Sequence, residues 1–163
     1  MTMTLIDLLK EHEQDFEFYP TTGAILASLA PFLKSNDFHK NKSMLDIGAG
    51  NGKVFKVLES LDISFSEKYG IEKSDILRAQ MDKEIFIVGT DFHASTLIDK
   101  KVDVIFCNPP YKEFTHGPRK LLKKPTPKIF FWSFPSAGKT ARKSPMHLKT
   151  EKQAPAFYPA MTF

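Results

Sequence analysis

Cysteine is almost missing from this chain: Cys107 is the single one in 163 residues. One thiol excludes an internal disulfide framework and any multi-cysteine zinc site, and it suits a reducing cytoplasm with the thiol buried. Long apolar runs are missing too. The longest, Ile25 to Leu33, contains Pro31 and is too short to cross a bilayer. The amino terminus, MTMTLIDLLKEHEQD, lacks the basic start, apolar run and small-residue cleavage site of a signal peptide. A cytoplasmic protein with no membrane partner and no bound metal is therefore expected. Acids nearly vanish after residue 114. Residues 1–114 carry 13 Lys and Arg against 18 Asp and Glu, a net charge of −5. Residues 115–163 carry ten cations and one acid, Glu151, a net charge of +9, together with seven of the 11 prolines. The overall charge of +4 thus hides a boundary near residue 114.

What is present fits one globular domain with a core of its own. Met3, Leu5, Ile6, Leu8, Leu9 and Phe16 are spaced among polar groups as on an amphipathic helix over residues 3–17, ended by Pro20. Thr21 or Thr22 can cap a second helix from Gly23 to Leu33. Ser43 to Ile47 reads as a buried strand, Lys53 to Leu61 as a helix, and Lys68 to Glu72 as a second strand. Ser74 caps a helix through about Met81. Ile85–Val88 and Lys101–Cys107 are β-branched and aromatic runs, hence a third and fourth strand. This alternation predicts an α/β fold, a mostly parallel sheet with helices on both faces. Beyond Phe114 the rhythm fails. Only residues 128–134 (KIFFWSF) form a credible further strand, and the remainder reads as an irregular basic, Pro/Lys-rich tail.

The segment LDIGAGNG, Leu45 to Gly52, follows the first strand and opens a helix. Gly48, Gly50 and Gly52 supply positive φ and let a ligand approach the backbone, although a tight turn alone also needs such residues. Asp46 at the strand tip would repel a pyrophosphate and suits a cationic ligand end. Glu72, twenty residues past Gly52, ends the second strand, where a carboxylate can accept both hydroxyls of a ribose. The segment resembles the signature of the Rossmann-like S-adenosylmethionine (SAM) methyltransferases. That resemblance implies SAM as cofactor, a core with strand order 3-2-1-4-5, and cofactor-binding roles for Asp46, Gly48, Gly50 and Glu72. It also implies that Asp91 and Phe92, after the third strand, receive the adenine of SAM, where a turn aspartate and a core phenylalanine would look the same.

Asn108-Pro109-Pro110-Tyr111 follows the fourth strand. The two prolines end that strand and stiffen the loop beyond it. An exocyclic amine on a heteroaromatic ring is a poor nucleophile because its lone pair is delocalised. Two acceptors aimed at its N–H bonds, the Asn108 side-chain oxygen and the Pro109 carbonyl, draw the nitrogen towards tetrahedral geometry. The Tyr111 ring can hold a planar group by stacking. The tetrapeptide resembles the catalytic motif of the amino-methyltransferases, which act on adenine N6 in DNA, glutamine N5 in proteins or guanine N2 in RNA. Phe18-Tyr19-Pro20-Thr21-Thr22 is similar to an aromatic-Pro-Thr segment of the DNA adenine enzymes. That likeness implies that Tyr19 and Thr21 line the SAM pocket, and that DNA is the substrate partner, with protein or RNA as alternatives.

The resemblance covers residues 18–114, about 60% of the chain. Such a core normally continues with further strands and helices, so the C-terminal strands are expected to be incomplete. The tail then reads in three ways: a basic arm on the phosphate backbone, a solvated extension, or the product of a truncated or frame-shifted gene. The last is the favoured expectation; in that case the chain can also be a non-catalytic module that binds SAM or nucleic acid. None of the five histidines is given a role, and the oligomeric state is left open.

Overall fold

The structure is a computed structural model that describes residues 3–14, 21–35, 40–92, 94–95 and 102–108, and the backbone of strands at 129–133, 146–150 and 156–157. Helix α1 (Leu5–Glu11) starts at a capping box in which Thr4 and Asp7 satisfy each other's backbone N–H groups. It is shorter than its periodicity suggests. Glu13 takes φ +55°, a left-handed conformation that no helix can continue. Helix α2 (Gly23–Ser35) runs through Pro31, which sits on its exposed side where water can satisfy the freed carbonyl.

Strand β1 (Ser43–Ile47) leads into α3 (Lys53–Ser60), then β2 (Glu67–Ile71), α4 (Asp75–Arg78), β3 (Ile85–Gly89) and β4 (Val104–Cys107). Strands β5 (Ile129–Ser133), β6 (Met146–Thr150) and β7 (Ala156–Phe157) complete the order. One seven-stranded sheet results, arranged β3-β2-β1-β4-β5-β6-β7. The first five run parallel, whereas β6 and β7 each pair antiparallel to their neighbour. The expected 3-2-1-4-5 order is present, and β5 falls within the segment read as a further strand. The sheet does not stop there, as an irregular tail would require. In MHLKT, apolar and polar residues alternate over only five positions beside Pro145, too short a signal to stand out, and its pairing with β5 is non-local.

Apolar residues of α2 (Leu26, Leu29, Ala30, Leu33) and α3 (Val54, Phe55, Leu58) pack on Met44, Val104 and Phe106 to form the main core. A smaller cluster, Leu45, Ile47, Ile71, Ile105 and Cys107, lies on the opposite face of the sheet, as period-two alternation along β1 and β4 demands. Helices expected over that second face would fall outside the described residues. At the foot of the sheet Asp103 accepts from both the backbone N–H and the hydroxyl of Ser43, at 3.1 Å each, which ties β4 to β1. Phe106 is fully buried in the main core. Phe106→Ala is expected to lower stability by about 3–5 kcal/mol in urea unfolding, through lost transfer energy and the cavity left behind.

Candidate active site

Register fixes the site. Ile47 pairs with Ile71 on one side and with Cys107 on the other. The next residue on each strand, Gly48, Glu72 and Asn108, therefore leaves the sheet at one level, at the carboxyl ends of β1, β2 and β4. That is where the strand order reverses, the position at which open α/β sheets bind ligands.

The glycine loop has the backbone its sequence calls for. Gly48, Gly50 and Gly52 adopt φ of +77°, +57° and +79°. A Cβ on Gly52 would stand 2.6 Å from Ile85 Cδ1, whereas one on Gly48 would meet nothing within 4 Å. Gly52 is thus glycine for packing as well as conformation, and Gly48 marks the open side of the loop. Most loop amides are already committed. Gly48 and Ala49 donate to the Ile71 carbonyl at 2.9 and 3.1 Å, Gly52 to Ala49 at 2.9 Å, and Gly50 to Glu72 Oε2 at 2.8 Å. A pyrophosphate, which needs such amides for itself, would find four of them spent.

Asp46 lies beneath this loop. It pairs in register with Gly70 and Phe106 and faces the main core, so it is 1% exposed. Neither carboxyl oxygen has a hydrogen-bond partner among the described residues. Burial, reinforced by the neighbouring Glu72 charge, pushes its pKa up to about 8. Unpartnered buried polar groups are costly, and this one stands where a cationic ligand end would relieve it.

Glu72 is held differently. Its two oxygens accept one bond each, from Gly50 N–H and from Ser74 N–H, both at 2.8 Å. A carboxylate offers about four acceptor positions, so both oxygens can still take ribose hydroxyls. Two residues that pattern reading overlooked help to fix this turn. The Arg78 guanidinium donates to the carbonyls of Glu72 and Lys73 at 2.7 Å each and pairs with Asp75. Gln14 Oε1 accepts from the Ser74 hydroxyl at 2.8 Å and from Ile76 N–H at 3.2 Å, which anchors the end of the α1 segment beside Glu72. Ser74 was legible as a cap; Gln14 and Arg78 gave no signal, because their bonds depend on where the chain folds back.

Asn108 is half-buried, and its side-chain amide donates to Thr21 Oγ1 at 3.2 Å. The fold thus brings a threonine that precedes α2 to the end of β4. Asp91, past the end of β3, accepts from Ala94 N–H at 3.3 Å and so closes a local turn. Phe92 packs against the second-face cluster. Both are used structurally in the way a plain turn and core reading would have them. Tyr19, Pro109, Pro110 and Tyr111 lie outside the described residues. Among the described residues there is no group of three or more metal-ligating side chains and no helix long and apolar enough to cross a membrane.

The buried acid makes a pH-dependent contribution of known sign. The folded chain keeps a proton on Asp46 up to about pH 8, whereas the unfolded chain releases it above its ordinary value of 3.8. Its contribution to stability is complete below about pH 4 and is lost progressively until about pH 8. Asp46→Asn should remove that slope, about 1.4 kcal/mol for each pH unit within the window, and raise stability at pH 7. Urea unfolding of both proteins at several pH values, read as their difference, checks it.

No protein-family model and no curated protein sequence matches the chain. Its fold does match solved structures. A candidate RNA methyltransferase from Pyrococcus horikoshii aligns with a TM-score of 0.59 and 18% identity, over 76% of this chain and 66% of that one. Magnesium protoporphyrin IX methyltransferase from Synechocystis PCC 6803, crystallised with bound S-adenosylhomocysteine (SAH), aligns at 0.55 and 13%, over 81% and 68%. A SAM-dependent methyltransferase from Thiobacillus denitrificans, in complex with SAH, aligns at 0.54 and 18%, over 86% and 60%. The chain spans about two thirds of the length of these structures. The chain shares the Rossmann-like α/β fold of these structures.

Proposed function

We propose that this chain binds SAM at the ends of β1 and β2 and methylates an exocyclic planar amine, with adenine N6 in DNA as the acceptor. One observation carries the reading: a wholly buried Asp46 carboxyl, without a hydrogen-bond partner among the described residues, lies beneath a glycine loop most of whose amides are already spent. Such a site rejects a phosphate and welcomes a cation. Asp46, Gly48 and Gly50 hold the charged methionine end, and Glu72 accepts the ribose hydroxyls. Asp91 and Phe92 receive the adenine, with Tyr19 and Thr21 along the wall. When bound, SAM supplies a methyl group on a sulfonium, open to attack by a nitrogen lone pair.

The rest falls to the chain's own residues. The Asn108 side-chain oxygen and the Pro109 carbonyl accept from the two N–H bonds of the acceptor amine and free its lone pair. Tyr111 stacks on the ring. No charged base is needed for the attack: as the N–C bond formed, the C–S bond would break, SAH would leave, and the methylated nitrogen would give its surplus proton to water. Positioning supplies much of the acceleration. DNA is favoured over protein glutamine and RNA guanine by the Phe18–Thr22 segment and by the +9 charge of residues 115–163, which come after β4 and Asn108. A target adenine would have to leave the duplex to reach Tyr111.

Labelled methyl transfer from SAM to DNA, RNA and protein, assayed side by side, tests the reading. Incorporation into DNA is expected, falling steeply with added salt. Asn108→Ala should lower turnover about 100-fold or more while leaving SAH affinity within about threefold. Label in protein or RNA alone would move the acceptor, binding without turnover would make the chain a cofactor-binding module, and full activity in the variant would remove Asn108 from the chemistry.

A further inference from the structure

Two adjacent threonines precede α2, and they have different tasks. Thr22 caps the helix: its hydroxyl accepts from Ile25 N–H at 3.4 Å, and its carbonyl accepts from the N–H groups of Ile25 and Leu26. Thr21 is released from capping, yet it is 8% exposed, and a buried hydroxyl needs a partner. It finds one 87 residues away, accepting from Asn108 Nδ2 at 3.2 Å. The α2 end of this bond is fixed by the cap and by the packing of Leu26 and Leu29 in the main core. The other end is carried by β4, whose backbone is locked in parallel register against β1. The bond therefore joins the Asn108 side chain to an element whose own place is set independently.

We infer that Thr21 is a positioning residue that holds the Asn108 carboxamide in the orientation seen here, its NH2 end tied to Thr21 Oγ1 and its oxygen on the other side, towards the acceptor amine. This rests on the proposed role of Asn108 in methyl transfer. A carboxamide has two unlike ends, an oxygen that accepts and an NH2 that donates. Turned by half a rotation, it would present N–H bonds to the N–H bonds of the acceptor and repel them. Engaging the NH2 end at Thr21 leaves the oxygen on the other side. Thr21 therefore acts on the acceptor half of the site, rather than only on the cofactor wall to which the sequence resemblance assigned it.

Thr21→Val keeps the shape and removes the hydroxyl, and Thr21→Ser keeps the hydroxyl. In 15N-labelled protein the Asn108 side-chain amide, identified by its absence from Asn108→Ala, reports the bond without any substrate. Thr21→Val should speed its solvent exchange about tenfold, the equivalent of one hydrogen bond, and Thr21→Ser should match the wild type. With an acceptor present, Thr21→Val should lower kcat about 10- to 100-fold while the SAH Kd stays within about threefold, and Thr21→Ser should restore kcat. An Asn108 amide that exchanges alike in wild type and Thr21→Val would overturn the inference. So would a Thr21→Val protein that loses SAH binding in proportion to turnover. If the wild type methylates no acceptor, the proposed function fails, and the amide measurement alone decides the role of Thr21.

Discussion

The pairing of Ile47 with Ile71 on one side and Cys107 on the other is the constraint on which the rest depends. Side chains alternate along a strand, so a slip of one residue would turn Asp46 out of the main core and bring Leu45 in. It would also separate the three strand ends that now leave the sheet together. The apolar pattern enforces the register, because Met44, Val104 and Phe106 must face α2 and α3 while Leu45, Ile47, Ile105 and Cys107 face the other way. The site is in this sense a by-product of core packing: once the sheet is in register, Gly48, Glu72 and Asn108 have nowhere else to be.

Within this frame Asp46 is an anomaly. A carboxyl in the core, with no partner among the described residues and with a raised pKa, destabilises the protein that carries it. Glu72, one strand away and nearly as buried, has both oxygens engaged. Two acids at one sheet edge thus have opposite fates. One holds the loop in place, and the other, on the proposed function, receives the positive charge of the ligand. On that proposal, Asp46 is local stability given up at a binding site, a familiar exchange in natural proteins.

Much of this was legible in the sequence, for identifiable reasons. The strands were readable because β-branched and aromatic runs were bounded by glycine and proline. The three glycines were readable because L side chains avoid positive φ, which all three adopt. Helix α1 is shorter than its apolar spacing suggests, because that spacing continues past Glu13, where the backbone turns left-handed. Strand β6 was hidden by its length. Thr21 and Thr22 are equivalent as caps until one of them is seen to face Asn108. The bonds of Gln14 to Ser74 and of Asn108 to Thr21 span 60 and 87 residues, and no local pattern encodes them. The turn made by Asp91 and the packing of Phe92 are what any globular core would ask of those residues, so their assignment to a cofactor comes from resemblance alone.

A calorimetric titration of the purified chain with SAH tests the central claim most directly, run at pH 7 alongside Asp46→Asn and in two buffers of different ionisation enthalpy. Micromolar binding is expected, with a proton released as the ligand's ammonium draws Asp46 into its charged form, and with affinity lost in Asp46→Asn although that variant is the more stable protein. Equal binding by the variant, or no binding by the wild type, would contradict the assignment of this site to SAM.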